Sequence, residues 1–102
     1  MEYVIEKTTE FDKWLSKLRD IRAKATILNR INMISEHGNF GDHHSVGSGV
    51  SELRIFVGKG YRVYYTVKDK HVVLLLFGGD KSKKKSQQAD IQQAQKLLEE
   101  LE

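Results

Sequence analysis

The sequence predicts an α+β fold, built as a single domain over residues 1–102. Three observations carry this. Apolar residues recur at helical spacing before residue 38 and again after residue 86. Between them lie segments that alternate with period two. The late strands follow one another through short turns, which favours antiparallel pairing with helices packed on one face. The expected result is a mostly antiparallel sheet of about four strands, packed by an N-terminal helix hairpin and a C-terminal helix.

Residues 2–7 alternate, include Tyr3, Val4 and Ile5, and read as a short first strand. Thr8 or Thr9 caps the next helix, Glu10 and Asp12 suit its positive end, and Phe11, Trp14, Leu15 and Leu18 line one side. A second helix starts near Asp20, with Ile27, Leu28, Ile31 and Ile34 as its apolar stripe. It stops before Gly38 and the turn-rich Asn39-Phe40-Gly41-Asp42. The two helices form a hairpin jointed near residues 19–22.

His43 to Gly47 reads as a short strand, and Gly47-Ser48-Gly49 as the turn after it. The next sixteen residues, Val50 to Tyr65, are the most informative stretch of the chain. Leu53, Ile55 and Val57 share one face of a strand, and Glu52, Arg54 and Phe56 the other. After a glycine-bounded turn, Tyr61, Val63, Tyr65 and Val67 share a face, opposite Arg62, Tyr64 and Thr66. One face can be packed while the other presents Arg54, Arg62 and Tyr64, a seat suited to a phosphate and a base. Val72 to Phe77 is an unbroken apolar run, the pattern of a central strand covered on both sides, and Gly78-Gly79-Asp80 ends it. Lys81-Ser82-Lys83-Lys84-Lys85 makes a basic loop. Ser86 caps a last helix with Ile91, Ala94, Leu98 and Leu101 on one side.

Composition narrows the function classes. There is no cysteine, so disulfides and thiolate metal sites are excluded. No run approaches the roughly 18 apolar residues that span a bilayer. Met-Glu-Tyr-Val-Ile-Glu-Lys lacks the basic region and long apolar run of a signal peptide. A soluble, cytoplasmic protein is expected. The formal net charge of +3 leans toward an anionic partner. Adjacent His43 and His44 lack further ligands at metal spacing, so no metal site and no cofactor is expected. Gly78-Gly79-Asp80-Lys81 lacks the frame of a P-loop.

Five pieces in order then resemble one family: Gly38-Asn39-Phe40-Gly41-Asp42, Gly49-Val50-Ser51-Glu52-Leu53-Arg54-Ile55, Gly60-Tyr61-Arg62-Val63-Tyr64-Tyr65, Leu74-Leu75-Leu76 before Gly78-Gly79-Asp80-Lys81-Ser82, and Asp90-Ile91. Together they resemble the RelE/ParE toxin superfamily, in its HigB-like addiction module killer branch, over nearly the whole chain. The resemblance implies a compact RelE-like fold and a toxin that cleaves mRNA, usually in the ribosomal A site. It also implies a cognate antitoxin, commonly a helix-turn-helix protein of the HigA type. Operator DNA would be met only through that partner. Arg62 matches the family arginine that contacts the scissile phosphate. Lys81 stands where many relatives place a basic residue after the last strand, and Arg54 lies in a strand that carries basic residues in relatives. His43 and His44 lie where some relatives have functional histidines. RelE-type enzymes often place a tyrosine near the start of the last helix; here the region reads Ser86-Gln87-Gln88, so a general base must come from elsewhere.

Metal-independent RNA cleavage needs the 2′-hydroxyl deprotonated, the charge on the phosphoryl oxygens stabilised and the 5′-oxygen protonated. Arg62 and Arg54 are the candidates for the charge, because guanidinium meets phosphate in two-point geometry. His44 is the candidate base or acid, with His43 next, since neighbours on a strand face opposite ways. Lys81 adds charge or protonates the leaving group. Tyr64 stacks on a base or donates a hydrogen bond. Lys83, Lys84 and Lys85 grip RNA through counterion release. Plainer readings stand beside these. Arg54 and Arg62 can form ion pairs with Glu52 and Asp80, the histidines can be solvated, and the lysines can be a solvated patch. Two other functions also remain: a ParE-type toxin that inhibits DNA gyrase without cutting RNA, and a plain RNA- or ribosome-binding module.

Overall fold

The computed structural model describes residues 2–81 and 84–102, without the side chains of Lys84 and Lys85. Its elements are β1 (Val4–Lys7), α1 (Thr9–Ser16), α2 (Ile21–His37), β2 (His43–Gly47), β3 (Val50–Ile55), β4 (Tyr61–Lys68), β5 (Val72–Asp80) and α3 (Lys84–Leu101). Polar side chains set the first two helix starts. The Thr8 hydroxyl accepts from the Phe11 N–H at 2.9 Å, and Asp20 Oδ1 from the Ala23 N–H at 3.0 Å, each filling an orphan donor of a first turn. Gly38 ends α2 in the left-handed region at φ 66°, where glycine carries no Cβ penalty.

The five strands run β1-β5-β4-β3-β2. The four later strands pair antiparallel, and β1 joins β5 in parallel, Val4 beside Val72. The sheet is therefore one strand wider than the four expected, and its outer pair runs the other way. The expectation that the helices share one face is corrected too. Phe11, Ile27, Ile31 and Ile34 of α1 and α2 pack against Leu53, Ile55, Val63, Val73 and Leu75. On the opposite face Ala94, Leu97 and Leu98 of α3 pack against Val50, Tyr64, Leu74 and Leu76. The apolar run of β5 requires this, because alternate residues of one strand need cover on both sides.

β5 does not end at the glycines. It continues through Gly78 and Gly79 to Asp80, with an irregular register opposite Tyr64 and Tyr65. Glycine is needed there for close approach: a Cβ on Gly78 would strike the Trp14 ring, and one on Gly79 the Asp90 carboxylate. α3 begins at Lys84, so Ser86 lies in its first turn rather than at its cap. Among the described residues no helix is long and apolar enough to cross a membrane.

Arg30 fixes the strand that carries the histidines. Its guanidinium donates to the carbonyls of Arg54 at 2.6 Å, Phe40 at 2.8 Å and Asp42 at 3.2 Å. These bonds tie the loop after α2 to β3 and leave β2 leading out from a fixed point.

Candidate functional site

The site grows from a buried carboxylate. Glu52 lies in the middle of β3 with no solvent exposure. Its Oε1 meets Arg54 Nε at 3.3 Å and His44 Nε2 at 3.4 Å. Its Oε2 meets Arg62 Nε at 3.6 Å and accepts from Gln87 Nε2 at 3.2 Å. Four elements supply these groups: β2, β3, β4 and α3. The register explains the gathering, since His44 pairs with Glu52 across β2–β3 and Arg54 with Arg62 across β3–β4. Residues opposite or diagonal on one sheet face come within reach of long side chains.

The arginines differ in exposure. The Arg54 side chain keeps 42% of its surface in solvent and that of Arg62 14%. Arg62 Nη1 also donates to the Asp80 carbonyl at 3.5 Å, a long bond. The plainer reading of both arginines is thus realised at Glu52. Asp80 meets Arg62 through its main chain, while its carboxylate pairs with Lys59 at 3.3 Å. Both guanidiniums face Glu52, Arg62 is also close enough to the Asp90 carboxyl to feel its charge, and the exposed part of Arg54 is able to take a further anion.

His44 sits at that edge with 39% of its side chain exposed. Its Nε2 faces both Glu52 and Arg54 Nη2, the latter at 3.3 Å. With a proton this nitrogen donates to the carboxylate; without one it accepts from the guanidinium. The same atom has a partner in either state, which suits a proton carrier.

The other expected residues divide. His43 turns to the opposite sheet face, its Nδ1 2.8 Å from the Gly41 carbonyl and its ring 5.5 Å from that of Phe40, away from Glu52. Tyr64 is not on an open face: it is fully buried under α3, which corrects the expected exposure. Burial, then the charge of Glu52, pushes its ionisation up, and its hydroxyl has no hydrogen-bond partner of good geometry among the described residues. A buried phenol cannot stack on a base without α3 moving. Lys81 follows β5 directly, and its ammonium lies 3.9 Å over the Phe56 ring rather than on Glu52. Lys83 lies outside the described residues, as do the side chains of Lys84 and Lys85.

Sequence reasoning gave Gln87 and Asp90 no part in the site, because their approach depends on the placement of α3. Asp90 sits over Gly79, and Gly79 pairs with Arg62. Burial raises the Asp90 carboxyl above its ordinary 3.8, neighbouring Asp80 adds to this, and Arg62 opposes it. A carboxyl raised on folding contributes stability below its unfolded value, and that contribution is lost as pH rises through the folded one. Asp90→Asn should therefore raise the Tm at pH 7 and leave it unchanged near pH 3, which paired thermal melts will check.

A family described as phage derived protein Gp49-like matches residues 13–99. An uncharacterized protein of Haemophilus influenzae is 50% identical over 101 residues, covering 99% of this chain and 98% of its own length. In fold the chain is similar to an arginine-to-alanine double mutant of the E. coli toxin RelE in its free state. The TM-score is 0.68 at 18% identity, over 90% of this chain and 97% of that one. The E. coli RelBE toxin–antitoxin complex matches at TM-score 0.65 and 18% identity, over 79% and 99%. The RelBE2 toxin–antitoxin complex of Mycobacterium tuberculosis matches at 0.53 and 18%, over 81% and 95%. The fold is RelE-like.

Proposed function

This chain belongs to the Gp49-like family of phage-derived proteins, and we propose that it is the toxin of a type II toxin–antitoxin pair, of the HigB-like kind. Its reaction is endonucleolytic cleavage of mRNA on the ribosome, without a metal. The observation that carries this reading is the grouping of Arg54, Arg62 and His44 around Glu52 at the partly open edge of a RelE-like sheet. Arg62 and Arg54 hold the scissile phosphate and take up its developing charge. His44, at the exposed edge, removes or returns the proton. Lys81, over the Phe56 ring, adds positive charge for the RNA. The partner is an antitoxin whose acidic residues cover the basic edge; an Arg62→Ala protein that binds it undiminished and without salt dependence would count against that contact.

Glu52 already engages both guanidiniums, and this favours a second reading, a gyrase-directed toxin that does not cut RNA. Primer extension on an mRNA in a cell-free translation reaction separates them. Cuts within codons that need ribosomes and disappear with Arg62→Ala support the nuclease on the ribosome. Cuts on naked RNA remove the ribosome. No cuts from folded, antitoxin-free protein would overturn the nuclease and direct the next assay to gyrase supercoiling.

A further inference from the structure

Phe56 leaves 70% of its surface in water, and it is the one exposed large aromatic among the described residues. Large aromatics gain most by burial, so a ring kept in solvent beside a polar site is informative. Its position is defined. It follows β3 directly, two residues beyond Arg54, which alternation puts on the face of Glu52 and Arg54.

The turn beyond it is fixed. The Gly60 N–H donates to the Val57 carbonyl at 2.9 Å, and the Lys81 N–H to the Gly60 carbonyl at 3.1 Å. Gly58 and Gly60 both have positive φ, 56° and 85°. The stem of Lys81 runs against Gly60, where a Cβ would meet it, and the ammonium ends over the Phe56 ring. A ring with a cation over one side, two residues from the Arg54 guanidinium, has the parts of a nucleotide seat: its other side as a plane for the base, and cations for its phosphate. Two residues of strand span about 6.6 Å, a length compatible with a base beside its own phosphate.

We infer that Phe56 seats an unpaired nucleobase next to the phosphate held by Arg54 and Arg62. This rests on the phosphate role proposed above. It transfers to Phe56 the stacking part that buried Tyr64 does not play. Any base offers a π-face, so the seat is tolerant of sequence. The nearest charges decide between RNA and a protein partner: Lys81 over the ring, and Arg54 two residues back along the chain, suit a polyanion, whereas a protein-docking ring is expected among apolar neighbours.

The test is binding, kept apart from cutting. A 2′-O-methyl RNA tetramer cannot supply the attacking hydroxyl and serves as the probe, intact or with one abasic position placed at each site in turn. The intact tetramer should bind wild type more tightly than at least one abasic version. Phe56→Ala should remove that difference, weakening the intact tetramer by about 5- to 150-fold, the range set by losing one base–aromatic stack. Phe56→Trp should restore it and Phe56→Leu should not. Equal binding of intact and abasic tetramers by wild type, no binding of either, or full binding by Phe56→Ala would each overturn the seat; the last would point to a protein-docking surface. Base-dependent binding with no cleavage on ribosomes would sink the nuclease and leave the seat standing.

Discussion

Glu52→Ala is expected to destabilise the protein by about 3 kcal/mol, the cost of removing one partner from a buried ionic cluster. Arg62 is largely buried and cannot turn fully to water when its counter-charge goes. Arg54 and His44 are more exposed and can partly relax outward, which keeps the loss at the lower end of the range. For a domain of this size the loss is a large share of the total stability, and urea denaturation will register it as a lower midpoint. Glu52→Gln keeps the shape and a carbonyl for Gln87, and should cost less. Inorganic phosphate should recover more stability in Glu52→Ala than in wild type, because the anion can take the place of the lost carboxylate. A loss under 1 kcal/mol, or equal phosphate effects on both proteins, would show that the cations do not depend on Glu52.

Arg62→Ala should lower the proposed mRNA cleavage by about 10²- to 10³-fold, the loss typical of removing one preorganised donor from the developing charge. Arg62 suits that role because its largely buried guanidinium lies between the Glu52 carboxylate and the Asp80 carbonyl, and its Nε has no hydrogen-bond partner among the described residues. Arg62→Lys keeps a charge but loses the planar fork, and should recover only part of the rate. The fold should survive better than in Glu52→Ala, since Arg54, His44 and Gln87 still face the carboxylate. Single-turnover cleavage rates together with thermal melts distinguish the two effects. A Tm that falls as far as in Glu52→Ala would make the lost rate a folding defect instead.

Much of this site was legible along the strands and little of it across them. Period two separates Leu53 and Ile55 from Glu52 and Arg54, and His43 from His44, and the structure keeps both separations. Thr8, Asp20 and Gly38 are readable as helix ends because their chemistry is local. The same alternation placed Tyr64 with Arg62 correctly but could not tell that α3 lies over the tyrosine. Alternation assigns a face; what covers that face depends on an element twenty or more residues away. Gly78 and Gly79 looked like a stop because glycine weakens strands. Here they admit Trp14 from one side and Asp90 from the other, which no local pattern records.

The parallel pairing of β1 with β5 bears on when this molecule exists as a working unit. β2 to β5 form between neighbours in sequence, but Val4 must find Val72, and the Thr8 N–H its acceptor at Leu75. Such distant closure is a slow step, and pulsed hydrogen exchange should find the β1 amides among the last protected. A chain still being synthesised, and lacking β5 and α3, leaves β4 with an unpaired edge, Arg62 without Asp80 or Asp90 near it, and Glu52 without Gln87. The order of synthesis therefore delays the site: it assembles only once β5 and α3 have followed the earlier strands.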